Sequence, residues 1–350
     1  MIPHNRPQIL ERDRAAVDAV LSSGWIAQGP AVERLEGQFV AMFEGGAACA
    51  VSSGTAALYL GLKALGCGPG SSVAVPSYSC SALLNAVLMS GATPRVVDVQ
   101  ADTFCLGAET VCAQARDTQF VVAVHTFGAA ADIASLKSRG YRVIEDCCQS
   151  LGGASRESPL GAQGDAAVFS FYATKIVTGG QGGLVWSAAR DIIAAVRDYR
   201  QFDGREDYAP RFNFQLTDIQ AALAASQMER LDQIRARRAQ IAQAYLDALP
   251  SGLTVQAGLN EAGRMVHRFV VCTPDRAVRD AMRAALADAE VACIVPVERA
   301  ELLHRCLRLD PDAYPVAERL AATTLSLPVH MALSDAELAA VCRALRRFRP

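Results

Sequence analysis

The chain has 350 residues, of which 51% are hydrophobic and 20% are charged, so it can form one large and one smaller domain with a sizeable core. Its formal net charge of −2 gives no electrostatic reason to expect binding to nucleic acid or to an anionic membrane. No apolar run approaches the ~20 residues of a spanning helix. The start of the chain lacks a signal-peptide pattern and the 11 cysteines lack CxxC spacing, so we expect a cytoplasmic protein without a metal site.

Helical and strand patterns alternate along the first half of the chain. Apolar periodicity and short apolar runs predict helices over 11–21 and 32–43, a strand over 49–52, a helix from 53 to 65, a strand over 73–75, a helix over 79–89, strands over 94–99 and 120–124, a helix over 133–139, and strands over 142–145, 168–172 and 184–186. This alternation is typical of an α/β fold with a mostly parallel sheet. Ligands in such folds bind beyond the carboxyl ends of the strands.

The pattern changes in the last third of the chain. Residues 216–249 predict one or two long helices, and Pro250-Ser-Gly252 indicates a domain boundary. Beyond it the sequence predicts a small α+β domain, with a strand over 268–272, a helix over 277–289, a strand over 291–295 and a final helix over 336–348. We therefore expect a large domain over 1–249 and a small C-terminal domain over 250–350.

Lys175 is the first candidate catalytic residue. It is one of only three lysines among 34 basic residues, and the other two, Lys63 and Lys137, fall on polar positions of predicted helices. Lys175 instead lies between two apolar runs and just before the glycine-rich turn over 179–183. An unpaired ammonium group is costly to bury. A lysine in a dry pocket loses its proton readily and attacks carbonyls, so we predict that Lys175 forms a Schiff base.

Two motifs at predicted element ends could bind the remainder of a carbonyl cofactor. Ser53-Gly54-Thr55 opens a helix, where free N–H groups favour a phosphate, although for this motif taken alone a plain helix N-cap by Ser53 or Thr55 is the better explanation. Asp146 ends a predicted strand, and its buried carboxylate stays ionised only near a cation or donors. A protonated pyridine nitrogen is one such cation, and a salt-bridged loop acid is the alternative. Gln149 and Ser170 either contact the same ligand or are ordinary polar neighbours.

A phosphate site, an acid for a pyridinium and an imine-forming lysine are together what pyridoxal 5'-phosphate requires. The chain resembles the pyridoxal-phosphate-dependent sugar aminotransferases of the DegT–StrS type, within the aspartate-aminotransferase fold. The matching segments run along nearly its whole length. They are Gly24-Trp25, Gly29-Pro30, Ser52-Ser-Gly-Thr-Ala-Ala-Leu58, Val75-Pro76, Gly91-Ala-Thr-Pro94, His125-Thr-Phe-Gly128, Glu145-Asp-Cys-Cys-Gln149, Phe169-Ser-Phe171, Thr174-Lys175, Gly179-Gly-Gln-Gly-Gly183, Arg211-Phe-Asn-Phe-Gln-Leu-Thr-Asp218, Gln220-Ala-Ala222 and Leu325-Ser-Leu-Pro328.

The resemblance implies fold type I of the pyridoxal-phosphate-dependent transferases and a role for each candidate residue. Lys175 would carry the internal aldimine, Asp146 would pair with the pyridine nitrogen, and Gln149 would contact the ring hydroxyl. The phosphate would be held by Ser53, Gly54, Thr55 and Ser170. Asn213 would reach the phosphate of a partner subunit, which makes the expected active unit a homodimer. From the residues alone, Asn213 is better explained as a helix-capping amide.

The chain departs from the family pattern near the expected substrate entrance. Cys80 stands where the family usually has an aromatic ring stacked on the cofactor, so either its sulfur packs on the ring or Tyr78 takes that place. Arg211 replaces a usual glycine, and Gln215 replaces a common basic residue. His125, in a loop motif that the family shares, is expected to be structural.

The resemblance predicts an aminotransferase that moves the amino group of an amino acid, usually glutamate, to a keto sugar that is most often nucleotide-linked. A cyclitol ketone remains possible as the acceptor, and a non-catalytic or regulatory cofactor-binding protein of the same fold is the alternative. A deoxysugar dehydratase of this fold has histidine in place of Lys175. A nicotinamide-dependent oxidoreductase is disfavoured because no GxGxxG follows the first strand.

Overall fold

The computed structural model describes residues 1–155 and 158–350. The α-helices in chain order are α1 (Glu11–Ser23), α2 (Pro30–Met42), α3 (Gly54–Ala64), α4 (Ala82–Met89), α5 (Ala108–Gln114), α6 (Ile133–Ser138), α7 (Arg190–Arg200), α8 (Asp218–Met228), α9 (Leu231–Leu246), α10 (Arg276–Asp288), α11 (Leu303–Cys306), α12 (Pro315–Thr323) and α13 (Asp335–Arg347). The strands are β1 (Ala47–Val51), β2 (Ser72–Pro76), β3 (Thr93–Val97), β4 (Phe120–Val124), β5 (Arg142–Asp146), β6 (Ala154–Ser155), β7 (Ser158–Pro159), β8 (Ala166–Ser170), β9 (Gly183–Ser187), β10 (Thr254–Val255), β11 (Phe269–Cys272) and β12 (Thr324–Leu327).

Seven of the described strands form one large sheet, in the order β1-β9-β8-β5-β4-β2-β3. The strands from β8 to β3 are parallel to one another, and β9 is antiparallel to both of its neighbours. Parallel strands are covered on both faces, which requires continuous apolar runs. Phe120–Val124 is such a run, and all five of its residues are buried. The predicted α/β fold with a mostly parallel, mixed sheet flanked by helices is confirmed.

The strand register brings the predicted site motifs to one end of this sheet. Asp146 is the last residue of β5 and lies beside Val168 of β8. Ser170, which ends β8, pairs with Gly183 at the start of β9, and Gly183 also pairs with Val51 at the end of β1. The chain then passes from Val51 through Ser53 into α3. The acid, the serine and the start of α3 therefore meet at the carboxyl end of the sheet, as expected for an α/β ligand site.

A second, antiparallel sheet, β10-β11-β12, lies in the C-terminal part of the chain. It shares a hydrophobic core with α10, α13 and the end of α9. The predicted strand over 291–295 is wrong, because only single residues pair there: Val291 with Ile2, and Ile294 with Ser326. The apolar run over 291–295 lies between Ile2 and Ser326 and does not form a strand ladder with either.

The segment that contains α11 and α12 packs against the large sheet, although it follows the predicted domain boundary. Leu302, Leu303 and Leu320 belong to the core between that sheet and α3 and α4. Asp98, just after β3, accepts hydrogen bonds from the first turn of α12. The division into 1–249 and 250–350 stays a prediction. Within the described residues, no helix is both long enough and apolar enough to cross a membrane.

Candidate active site

Lys175 lines a cavity of about 390 Å³ between the carboxyl end of the large sheet and the C-terminal region. The walls come from the loops after β2 (78–81), β4 (126–127) and β5 (Gln149), together with His267 and Arg268 before β11. Residues 296–306 contribute the remaining side. The cavity therefore joins parts of the chain that lie more than a hundred positions apart in sequence.

The turn after β8 fixes the backbone of Lys175. The N–H of Lys175 donates to the carbonyl of Tyr172 (2.9 Å), and Phe171 anchors the turn through bonds to Gly179 and Gly182. The ammonium group makes no hydrogen bond or ion pair with any residue that the structure describes. By contrast, Lys137 is paired with Asp165 at 2.6 Å, and Lys63 lies 5.7 Å from the centre of the Tyr199 ring. Lys175 is therefore the lysine whose nitrogen is available to a ligand.

Asp146 is a buried carboxylate without a cation. It is 5% exposed, and its Oδ1 accepts the backbone N–H of Cys148 at 2.9 Å. No lysine, arginine or histidine of the described chain lies within ion-pairing distance of it. Burial and the charge of Asp146 raise the pKa of the Cys148 thiol well above its usual value, and the opposing charge of Lys175 lowers it. The charges of Asp146 and Lys175 thus both act on Cys148, and a cationic group beside Asp146 would satisfy its carboxylate.

The start of α3 forms a close-fitting cradle. A Cβ placed on Gly54 would lie 2.9 Å from the Cβ of Ser170 and 3.4 Å from the Sγ of Cys148. Ser53 is the N-cap, and its hydroxyl accepts the N–H of Ala56 at 3.1 Å. The Thr55 hydroxyl has no hydrogen-bond partner among the residues described. Ser53 therefore caps the helix, while Gly54 and Thr55 leave donors at its start without a partner among the described residues, and anion binding there stays a prediction.

Gln149 is held by one end of its amide. Its Oε1 accepts the N–H of Phe127 at 3.0 Å, in the loop after β4. Its NH₂ group has no partner among the described residues, and the side chain lines the cavity of Lys175. The Gln149 amide therefore offers unpaired N–H donors in this cavity.

Tyr78 is part of the core and is not free to stack on a ligand. It is 1% exposed, its hydroxyl bonds to Thr324 at 2.9 Å, and its ring packs edge-on against Phe104 and Phe127. Cys80 is exposed and lines the cavity. Of the two sequence-based alternatives, the geometry favours the sulfur of Cys80.

Asn213 lies on the surface of the protomer, outside the cavity of Lys175. Its Oδ1 accepts the N–H of Gln215 at 3.3 Å. It does not cap α8, because Thr217 does so in a capping box with Gln220. Arg211, which stands where the family usually has glycine, forms ion pairs with Asp198 and Asp207 of the same protomer.

His125 forms a buried cluster with Glu145 and Cys147, whose ligand atoms lie within 4.8 Å of one another. Its Nδ1 accepts the N–H of Ala131, so Nε2 carries the proton and donates to Glu145 at 2.9 Å. Glu145 also accepts three backbone N–H groups from residues 161–164. Burial opposes its ionisation, but these bonds keep its pKa below the usual value. The hydrogen bonds of this cluster hold the loop after β4 in place beside the cavity.

Sequence reasoning missed the imidazole, the guanidinium and the carboxylate that line the cavity, which belong to His267, Arg268 and Glu301. The first two stand immediately before the apolar run of β11. The signal that singled out Lys175, a charge beside a buried run, was present there too. Only the folded chain shows that this strand start faces the large sheet.

Comparisons with known proteins agree with this geometry. The model of the DegT/DnrJ/EryC1/StrS aminotransferase family matches residues 7–346. TlmJ, an aminotransferase from Streptoalloteichus hindustanus, is 30% identical with a TM-score of 0.89, and the match covers 99% of this chain and 98% of that one. CalS13, a sugar aminotransferase from Micromonospora echinospora, is 26% identical with a TM-score of 0.87, covering 99% of each chain.

A third similar structure is that of Spr1654 from Streptococcus pneumoniae in its PMP form. It is 26% identical with a TM-score of 0.90, and the match covers 99% of this chain and 96% of that one. The resemblance predicted from the sequence is confirmed by these matches. The chain belongs to the DegT/DnrJ/EryC1/StrS aminotransferase family and is a pyridoxal-phosphate-dependent aminotransferase.

Proposed function

We propose that the protein binds pyridoxal 5'-phosphate through Lys175 and transfers the amino group of an amino acid, with glutamate as the expected donor, to a keto sugar that is nucleotide-linked. The observation that carries the proposal is the pair of unpaired charges, Lys175 in the cavity and Asp146 buried at the carboxyl end of β5. The sugar acceptor is supported by the similarity to CalS13, and the cofactor by the similarity to Spr1654, which has been solved in PLP and PMP forms. A cyclitol ketone is the other acceptor class that the same site would accept.

The residues present fit the cofactor group by group. Asp146 would hold a protonated ring nitrogen, and the free NH₂ of Gln149 would donate to the ring oxygen. Gly54, Thr55 and the N-terminus of α3 would hold the phosphate, with Ser170 beside them. When bound, pyridoxal phosphate supplies an electron sink for the negative charge left when the amino-bearing carbon loses its proton.

The chain's own residues then have separate tasks. The Nζ of Lys175, once released from the cofactor, is a base that takes the proton from the amino-bearing carbon and later returns one as an acid. The carboxylate of Asp146 keeps a proton on the ring nitrogen, because its own burial makes a cationic partner favourable. Gln149 and the α3 cradle would hold the ring and its phosphate in one orientation relative to Lys175.

The function is tested by supplying the purified protein with pyridoxal phosphate and following its visible absorbance. We expect a band that L-glutamate bleaches, with release of 2-oxoglutarate, and that a keto-sugar nucleotide then restores. ¹⁵N-labelled glutamate should transfer its label to the sugar product, which mass spectrometry detects. A coloured protein that no amino acid bleaches would contradict catalysis and favour the regulatory alternative.

Gly54 provides a test of the phosphate site. A methyl group on this residue must displace Ser170, so Gly54→Ala should raise the Kd for pyridoxal phosphate about tenfold or more, since overpacking costs ~1–3 kcal/mol. Absorbance titration measures the Kd, and Gly37→Ala is the matched control because nothing lies within 4 Å of its added Cβ. Titration with pyridoxal, which lacks the phosphate, should show a smaller loss, and an equal loss for both would contradict the assignment.

We also propose a homodimer in which Asn213 completes the partner's site. The segment around Asn213 exposes Phe202, Tyr208 and Phe212, which are 54%, 96% and 50% exposed. Trp25, 61% exposed, adjoins the same face, because Asp218 at the start of α8 bonds to the backbone at Gly29. Apolar side chains grouped in this way are typical of a surface covered in an oligomer.

The dimer is tested by combining two defective chains. Each variant carries one defect, either Lys175→Ala or Asn213→Ala. If Asn213 acts in the partner's site, both defects of a heterodimer fall in the same site, and its other site stays intact. Co-expression with distinct tags should then recover about one quarter of wild-type activity from a random mixture, because half of the pairs are mixed and half of their sites are intact. Activity that stays at the average of the two variants would contradict the exchange of Asn213.

A further inference from the structure

Arg268 is a cation without a partner in the cavity of Lys175. Its side chain lines that cavity, and its Nη1 is buried without a hydrogen bond. No hydrogen bond or ion pair links Arg268 to any residue within 1–155 or 158–350. Its guanidinium carbon lies 5.7 Å from the centre of the Phe127 ring.

The buried arginines of the described chain each make side-chain hydrogen bonds, although the Nε of four of them has no partner. Arg238 donates to the carbonyls of Val266, His267 and Val329, and Arg264 donates to Ala257 and Gln256. Arg200 and Arg230 bond to Glu36 and Asp13, and Arg279 bonds to Asp280. A buried donor without a partner costs stability. Arg268 differs from this set because none of its side-chain donors is bonded within the described residues, which leaves all of them available to a ligand.

No described carboxylate forms an ion pair with Arg268, although the nearby negative charge of Glu301 favours its charged form. Glu301 lines the same cavity but makes no ion pair with it, and one carboxylate oxygen of Glu301 accepts the N–H of Glu298 at 3.0 Å. Burial lowers the pKa of Arg268, yet a guanidinium remains charged near neutral pH. Burial and the nearby Lys175 lower the pKa of His267 well below its usual value, so this neighbour is neutral. Lys175 and Arg268 against the one carboxylate of Glu301 therefore leave the lining of this cavity with a net positive charge.

The position of Arg268 is fixed by the residues beneath it. Phe127 lies in the left-handed backbone region (φ 54°), and its N–H donates to Gln149. Phe127 therefore touches Arg268 through its ring and the predicted cofactor-binding amide through its backbone. A residue other than glycine is held in this region only where the surroundings require it. Phe127 thus links the position of the Arg268 guanidinium to that of Gln149.

We propose that Arg268 binds the α-carboxylate of the amino donor, an assignment that rests on the aminotransferase function proposed above. An α-carboxylate is attached to the same carbon as the reacting nitrogen, so a donor whose nitrogen reaches the Lys175 region must place its carboxylate within this cavity. A guanidinium matches a carboxylate through two parallel hydrogen bonds. In a nucleotide-linked keto sugar the sugar ring separates the phosphates from the ketone, so they do not meet this requirement.

The test compares three amino acids in a single half-reaction, followed by the change in cofactor absorbance. L-Glutamate and L-glutamine carry an α-carboxylate, whereas isoglutamine carries an α-amide and keeps the side-chain carboxylate. Arg268→Gln is expected to lower kmax/Kd for glutamate and glutamine on the order of 10²-fold. For isoglutamine the change should stay below about threefold, because the variant removes an interaction that this donor lacks.

Two further variants separate carboxylate binding from structure. Arg268→Lys keeps the charge but loses the fork of donors, so it should recover only part of the rate for glutamate. Arg299→Gln removes an exposed charge from the segment beside the cavity and should leave all three amino acids unaffected. The cofactor-free Arg268→Gln protein should melt at or above the wild-type temperature, because it loses an unpaired buried donor.

Specific outcomes overturn the assignment. A loss for isoglutamine as large as that for glutamate, or a loss confined to glutamate and isoglutamine, would show that Arg268 does not bind the α-carboxylate. An unchanged half-reaction with a raised KM for the keto-sugar nucleotide would place Arg268 on the acceptor instead. If the wild-type protein reacts with none of the three amino acids, the proposed function itself fails, and the assignment fails with it.

Discussion

Lys175→Ala is expected to abolish transamination while the protein still folds and binds pyridoxal phosphate. The loss should be on the order of 10⁴-fold or more in the half-reaction with L-glutamate, because both the covalent attachment and the proton transfer depend on this one nitrogen. The fold should persist, since the Lys175 side chain makes no hydrogen bond or ion pair within the described chain. Stopped-flow absorbance measures the rate, and dialysis followed by gel filtration measures the bound cofactor.

The small number of lysines gives this prediction an unusually clean control. A double variant, Lys63→Arg and Lys137→Arg, leaves Lys175 as the only lysine of the chain. It should keep the coloured band and the half-reaction rate, because arginine can replace the surface contacts of Lys63 and Lys137 but cannot form an imine. Borohydride reduction and peptide mass spectrometry should then place the cofactor on Lys175. Cofactor attached elsewhere, or full activity in Lys175→Ala, would contradict the role.

The part of the site that the sequence predicted is the part built from local patterns. Lys175 stands between two apolar runs, Asp146 ends a strand, and Gly54 starts a helix, and each pattern is completed within about ten residues. The parallel sheet then brings the three together, because strand ends in an α/β fold share one edge. These residues could therefore be predicted from the sequence even before the resemblance was considered.

The residues of the opposite wall of the cavity could not be predicted from local sequence patterns. Arg268 precedes a four-residue strand whose partners, β10 and β12, are also short, so nothing near it in sequence indicates which face it presents. Its relation to Lys175 depends on how the C-terminal sheet packs against Phe127, which is set by contacts between distant parts of the chain. Asn213 shows the same limit, because a local reading favours a cap that Thr217 provides instead.

Two differences in the fold have local physical causes. Helix α7 (Arg190–Arg200) was not predicted, because Ala189 provides no side-chain cap and only three of its residues are buried. The run over 291–295 has the β-branched residues of a strand, but it is placed between Ile2 and Ser326 and pairs with each at one position. β propensity reports a fit to a half-buried, pleated surface and does not require a ladder.

Asp146→Asn is expected to lower the half-reaction rate by about 10²–10³-fold, the range seen when one electrostatic stabiliser is removed. The amide can keep the hydrogen bond to Cys148 but cannot hold a proton on the ring nitrogen, so the cofactor becomes a poorer electron sink. A pyridoxal phosphate analogue methylated on the ring nitrogen carries a permanent positive charge. Supplying it should restore part of the rate in Asp146→Asn and should not help the wild type.

Stability separates this role of Asp146 from that of a structural acid. Asp98 is also buried, but it accepts the N–H groups of Val316 and Ala317 at the start of α12, so Asp98→Asn should lower the melting temperature while the spectrum and rate are retained. Cofactor-free Asp146→Asn should melt at or above the wild-type temperature, because a buried carboxylate without a cation opposes folding. If Asp146→Asn instead melts lower and reacts with glutamate at the wild-type rate, Asp146 is a structural acid and the ring nitrogen has no partner here.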